Sequence, residues 1–152
     1  MEPVPIRRAT IDDLDELLVL GAEYAEADGH AFDVEVARRG FEPLLTSDDL
    51  GIVLVAVDGQ HGARALLGYA ATTWGWSIEV GGLDVVLDEL YVRTRGRGIG
   101  GRLLREVENA CRARGVKRIF LETERPNERA RRLYARHGWS EDDSIWMAKE
   151  LT

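Results

Sequence analysis

Residues 87–104 read L-D-E-L-Y-V-R-T-R-G-R-G-I-G-G-R-L-L, and the fold follows from how that stretch divides. Val85, Val86 and Leu87, then Leu90, Tyr91 and Val92, make a strand-like run. A loop with four glycines and three arginines follows it, and an amphipathic helix starts straight after. Gly96, Gly98, Gly100 and Gly101 remove side chains where backbone N–H groups have to face a ligand closely. The first helical turn adds unpaired N–H donors and the positive end of the dipole. This is an anion cradle suited to a phosphate or pyrophosphate. Arg93, Arg95 and Arg97 supply mobile positive charge around it. Gly96-x-Gly98-x-x-Gly101 also satisfies the G-x-G-x-x-G dinucleotide pattern, so the glycines alone do not choose the ligand.

At 152 residues the chain suits one domain, residues 1–152, with a full core. Hydrophobic content of 45% and charged content of 31% are those of an ordinary globular protein. The longest purely apolar run, residues 52–57, is far short of a membrane span, so no membrane association is expected. Met1-Glu2-Pro3 shows no export signal, and the single Cys111 cannot form an internal disulfide, so a cytoplasmic location is expected. Cys111 sits at an apolar helical position and reads as core. No metal site is expected. The net charge of −7 is unevenly spread: residues 93–139 carry 14 Lys/Arg against 5 Asp/Glu, and the remainder carries 6 against 22. The basic block suits a multiply phosphorylated ligand, and the acidic remainder disfavours nucleic acid and favours a cationic substrate.

Residues 4–10 are a short strand. Thr10 caps a helix with Asp12 and Asp13 in its first turn, and Ile11, Leu14, Leu17, Leu18 and Gly21 form its inward stripe. A second helix spans residues 33–45, with Val34, Ala37, Phe41 and Leu44 or Leu45 inward. The connector between them holds His30, a candidate for a substrate rim. Residues 52–57 and 66–78 are strands joined through Asp58-Gly59, and Gly81-Gly82 leads into the strand 83–92. Period two places Ala70, Thr72, Trp74, Trp76 and Ile78 on one face. After the glycine loop, Leu103, Leu104, Val107, Ala110 and Cys111 mark a helix ending at Gly115. Residues 116–123 are a strand, Pro126 enters the first turn of another helix carrying Ala130, Leu133 and Tyr134, and the chain closes with two short strands, the last at 145–151. A strand, two helices and an antiparallel meander do not match the repeated strand–helix units of a dinucleotide fold. Glu122 and Glu124, about 20 residues past the loop, are where such a fold would hold a ribose.

Two motifs now combine. Arg95-x-x-Gly98-x-Gly100 is similar to the R/Q-x-x-G-x-G/A loop of the GNAT family of N-acetyltransferases. Asn127-x-x-Ala130-x-x-Leu133-Tyr134-x-x-x-Gly138-Trp139 resembles the helix after that family's fifth strand, and it lies about 30 residues beyond the loop, as the family spacing requires. Residues 83–139 carry the resemblance; the approach to the loop is shorter than in many members, with only Arg93 and Thr94 after Val92. The resemblance implies a mixed α/β (α+β) fold with a mostly antiparallel central sheet, helices on both faces and splayed central strands. It implies acetyl-CoA as cofactor, its pyrophosphate held by the amides of Gly98, Ile99, Gly100 and Gly101 with Arg95 and Arg97 nearby. The main chain of Leu90, Tyr91 and Val92 would pair with the pantetheine arm. Asn127 would either bind that arm or cap its helix.

The chemistry implied is acetyl transfer to an amine in a ternary complex. A primary amine with a pKa of ~10.4 is only about 0.1% neutral near pH 7.4, a cost of ~4 kcal/mol before attack. A carboxylate or an ordered water has to take that proton. Glu89, on the central strand, is the first candidate; Asp88 alternates to the other face, so at most one of the two is expected in the same cleft. Asp84, Glu122 and Glu124 are the other candidates. A main-chain amide of the central strand would stabilise oxyanion charge, and Tyr134 matches the family's general acid. The acceptor is read as a small cationic amine, with a protein amine as the alternative and a homodimer through the last strands compatible with the family. Two other readings stand beside this one: an acyl-CoA-binding domain without turnover, and a small dinucleotide-binding module.

Overall fold

β-Branched residues in residues 52–57 and alternating apolar residues along the two following strands produce an antiparallel meander, the centre of a five-stranded sheet. In the computed structural model, which describes residues 3–62 and 65–152, the sheet order is β1-β2-β3-β4-β5. These strands are Ile6–Arg8, Gly51–Val57, Leu66–Ser77, Gly82–Val92 and Arg118–Phe120. The first four pair antiparallel and β5 pairs parallel to β4. Met1 and Glu2, part of the stretch from which no export signal is expected, lie outside the described residues. The chain divides into two compact units, Met1–Glu122 and Thr123–Thr152.

The first unit holds the sheet and three helices, α1 (Leu14–Ala27), α2 (Val34–Thr46) and α3 (Ile99–Ala113). Val53, Val55 and Val57 form one cluster with Tyr69, with Leu14, Leu17, Leu18 and Leu20 of α1, and with Phe41, Leu44 and Leu45 of α2. Residues of opposite parity, Ile52, Ala56 and Ala70, are also buried. They belong to the other face of the sheet, where α3 packs on β2, β3 and β4 with Ile99, Leu103, Leu104, Val107 and Cys111 buried. Each such aliphatic side chain contributes about 1.5–3 kcal/mol by leaving water. Helices therefore cover both faces, as expected.

The parallel contact is short. Residues 84–86 pair with Arg118, Ile119 and Phe120, and from Leu87 onward β4 pairs, among the described residues, with β3 alone. This leaves one edge of β4 open beside β5, the splay expected of the central strands. One parallel pair in a meander is incompatible with the repeated strand–helix–strand units of a dinucleotide module.

Several local expectations need correction. The first strand is three residues long, and a 3-10 turn at Ile11–Asp13 precedes α1. That turn exposes Ile11, and Leu20 joins the buried stripe of α1 in its place. Val34 is exposed because it opens α2 just after the N-cap Asp33. Trp76 and Ile78 lie near the outer end of the β3–β4 hairpin and are exposed. The fifth strand is shorter than residues 116–123. In the second unit, α4 (Glu128–Arg136) starts after Asn127, so Pro126 precedes the cap rather than sitting in the first turn. Residues 139–152 contain no strand: the alternation there has no partner strand to pair with inside its own unit.

Candidate active site

β4 carries the chemistry-bearing residues in sequence. Its ladder with β3 runs from Ser77↔Gly82 to Thr72↔Leu87, then resumes at Ala71↔Glu89. Asp88 is the extra residue of a β-bulge, which re-aims side chains and interrupts strict alternation. Both Asp88 and Glu89 consequently line one cleft of about 690 Å³, against the expectation that only one of them could. Tyr24, Phe32, Phe41 and Trp74 contribute aromatic surface to that cleft, and Asp28, His30 and Asp33 contribute polar groups. His30, the connector residue offered as a candidate for a substrate rim, thus lines this cleft. Asp84 and Glu122 do not line it, and neither does Trp76.

Glu89 is held from behind. The Tyr69 hydroxyl donates to Glu89 Oε1 at 2.7 Å, and Tyr69 is fully buried, with its ring 5.8 Å from that of Phe41. Burial pushes the Glu89 carboxyl above its ordinary value, the Tyr69 hydrogen bond opposes that shift, and the like charge of Asp88 adds to it. Burial, then the Glu89 charge, pushes the Tyr69 phenol far up, so it remains a protonated donor. Trp74 is fixed by its indole N–H, which donates to the Asp48 carbonyl at 2.7 Å, and by the Arg114 guanidinium 4.6 Å above its ring.

At its far end β4 enters the arginine and glycine loop. Arg93 is not mobile charge: it donates to Glu23 at 2.6 Å, to Glu16 at 3.1 Å and to the Leu66 carbonyl at 3.1 Å. Tyr91 also donates to Glu23, at 3.2 Å. Arg95 and Arg97 are exposed. Gly98 caps α3 with φ +69°, a left-handed conformation that glycine adopts without penalty. The first helical hydrogen bond runs from Arg102 N to the Gly98 carbonyl at 3.1 Å, so the amides of Ile99, Gly100 and Gly101 have no helical acceptor.

In the second unit, Asn127 Oδ1 accepts from Ala130 N at 3.1 Å and caps α4. Capping is therefore what its side chain does here. Tyr134 is half-buried, its ring 5.8 Å from that of Trp139 at 56°.

Residues 13–139 match the sequence profile of the Acetyltransferase (GNAT) family. The chain belongs to the GNAT family of acetyltransferases. An uncharacterized N-acetyltransferase, YhfO of Bacillus subtilis (strain 168), is 27% identical over 139 residues, covering 90% of each chain. The integron cassette protein HFX_CASS3 from the mobile metagenome of Cole Harbour Salt Marsh superposes with a TM-score of 0.83 at 31% identity, over 97% of this chain and 90% of that one. A protein described as a possible acetyltransferase from Clostridium difficile 630 superposes with the same score, 0.83, at 24% identity, over 99% of both chains.

This GNAT acetyltransferase has residues that fit the family's acyl donor, acetyl-CoA. A Cβ built on Gly96 or Gly98 meets nothing within 4 Å, so the loop presents open backbone. The helices α1, α2 and α4 each carry an acid in the first turn, whereas α3 carries none. An acid there would repel a pyrophosphate. Cys111 is buried, with its thiol pushed up to about 11 mainly by burial, and is core as expected. No helix among the described residues is long and apolar enough to cross a membrane. Tyr69 escaped the reading of the sequence. Its partner Glu89 lies two residues before Tyr91, the direct cross-strand neighbour of Tyr69, and such a diagonal contact has no local signature.

Proposed function

We propose that the chain moves the acetyl group of acetyl-CoA to a small cationic amine by direct attack with both molecules bound, and that residues 1–152 act as one catalytic domain in the cytoplasm. The observation that carries this reading is the course of β4. One strand presents Glu89 to an aromatic, acidic cleft, leaves its edge open from Leu87, and runs into a helix N-terminus stripped of acids. Bound acetyl-CoA supplies an activated acetyl thioester. The amides of residues 98–101, with Arg95 and Arg97, hold its pyrophosphate, and the open main chain at Leu90, Tyr91 and Val92 pairs with its pantetheine arm. Glu89 accepts the proton that the acceptor ammonium has to lose, and the Tyr134 hydroxyl gives a proton to the departing sulfur. Asp88 and Asp28 attract a cationic acceptor, and the aromatic walls cover its apolar body.

The test is release of free thiol from acetyl-CoA in the presence of an aliphatic diamine, an aromatic monoamine or a lysine-containing peptide. Turnover with the small cationic amines is expected, and turnover with the peptide alone would move the acceptor to protein amines. Tyr134→Phe should lower kcat by about 10²-fold or more while leaving the acetyl-CoA Kd unchanged. Tight acetyl-CoA binding without thiol release for any amine would favour a non-catalytic acyl-CoA-binding domain.

A further inference from the structure

Behind the cleft, the buried Tyr69 hydroxyl is paired with Glu89. Tyr69 is the largest fully buried side chain among the described residues, placed in the first half of β3 among Gly68, Ala70 and Ala71. A phenylalanine would satisfy the same packing against Phe41, so the hydroxyl needs its own explanation. It donates to one carboxylate oxygen only, and Glu89 Oε2 makes no hydrogen bond among the described residues. The bulge at Asp88 brings Glu89 to the cleft at the level where Tyr69 can reach it from below.

We propose that Tyr69 is a positioning residue for acetyl transfer: from inside the core its hydroxyl ties down Oε1 of Glu89, so that Oε2 is the oxygen offered to the acceptor ammonium. The inference rests on Glu89 being the base. Without that tie, a half-buried carboxylate has several rotamers and no fixed direction for its free lone pairs. A hydrogen bond to the charged form also favours the carboxylate over the acid. Tyr69 keeps its own proton throughout. Oε2 would take the proton that the acceptor ammonium loses; the amine so freed would attack the acetyl carbon while the thioester C–S bond breaks, and the departing sulfur would take its proton from Tyr134. The other titratable groups lining the cleft with Glu89 are Asp88 on β4, Tyr24 on α1, Asp28 at the C-cap of α1, and His30 and Asp33 on the connector. Of these, Asp88 is the one whose charge acts on Glu89 together with Tyr69.

Tyr69→Phe isolates the hydroxyl. The acidic limb of the kcat/KM profile, read with the best amine of the panel, should move to higher pH. The rate on that limb should fall roughly tenfold and recover at the alkaline end, since a charge-assisted bond is worth about one tenfold factor or more. The ¹³C shift of the Glu89 carboxyl, identified by its absence in Glu89→Gln, should titrate at higher pH in Tyr69→Phe. That readout needs no turnover. If the variant does not fold, 3-fluorotyrosine placed at position 69 keeps the shape, strengthens the donor and should move the limb to lower pH. A limb and a carboxyl titration unmoved by either replacement would overturn the role of Tyr69. An acidic limb that survives in Glu89→Gln would overturn Glu89 as the base and this inference with it, even where the carboxyl titration still responds to Tyr69.

Discussion

Asp88 and Glu89 are chemically near-identical neighbours placed in different environments by one bulge. Glu89 is enclosed and tied to Tyr69, whereas Asp88 is exposed and makes no hydrogen bond among the described residues. On the proposed mechanism the two carboxylates divide the work, Glu89 taking a proton and Asp88 attracting positive charge. The sign of their coupling is testable. Like charge favours the protonated form of Glu89, so Asp88→Asn lowers the pH at which Glu89 ionises. The acidic limb should move down, opposite to the effect of Tyr69→Phe. The rate on that limb should rise about twofold, the size expected for an exposed charge. A limb moving upward would mean that Asp88 does not act on Glu89 through charge. Glu89 could be picked from the sequence because it lies on the strand before the loop. Its relation to Asp88 could not, because strict alternation is the only rule a bare D-E pair offers, and nothing in D-E marks a bulge.

Between elements, the joint of α1 with β4 decides what the loop can do. Glu23 on α1 takes hydrogen bonds from Tyr91 and Arg93, and Arg93 reaches Glu16 one helical stretch earlier. This clasp fixes the last residues of β4 just ahead of the arginine and glycine loop. It also removes Arg93 from the charges available to a phosphate. The Arg93 hydrogen bond holds the Glu23 carboxyl below its ordinary value. A depressed carboxylate contributes stability above its unfolded pKa and loses it as pH falls through the folded value. Glu23→Gln should therefore lower the Tm at pH 7 by about 2–4 °C for about 1 kcal/mol, since the pair is partly exposed. The gap to the wild-type protein should close under acid conditions, below the ordinary carboxylate range. A gap independent of pH would assign the loss to packing rather than to the charge. The helices and long strands were legible because their periodicity is local. The clasp was not, because it joins residues about 70 positions apart. The expected closing strands at 139–152 failed for the complementary reason, since alternation predicts a strand only where another strand is available to pair.

At the scale of the whole chain, charge favours either of the two ligands that the glycines leave open, and the strand edge separates them. Residues 93–139 hold most of the basic side chains of a protein whose net charge is −7, so the binding of a polyanion is favoured locally and opposed everywhere else. A dinucleotide and acetyl-CoA both carry a pyrophosphate, and both would be drawn to the basic block. Only acetyl-CoA could also use the open edge of β4, since its pantetheine arm can pair with a strand as a dinucleotide cannot. Thermal unfolding discriminates the two directly. A ligand at ~100 times its Kd adds about 2.7 kcal/mol. For a chain of this size that corresponds to roughly 5–10 °C in Tm. A rise of that order with acetyl-CoA and none with NAD or NADP is expected. The rise should shrink as salt is increased from about 0.05 to 0.5 M, because exposed arginines such as Arg95 and Arg97 are screened over a Debye length of about 4–14 Å in that range. Salt sensitivity with acetyl-CoA would show that the phosphates are held by these charges. A full, salt-independent rise would shift the affinity to the backbone amides of α3 and to the β4 edge. A rise with NAD or NADP alone would return the loop to the dinucleotide reading despite the antiparallel sheet around it.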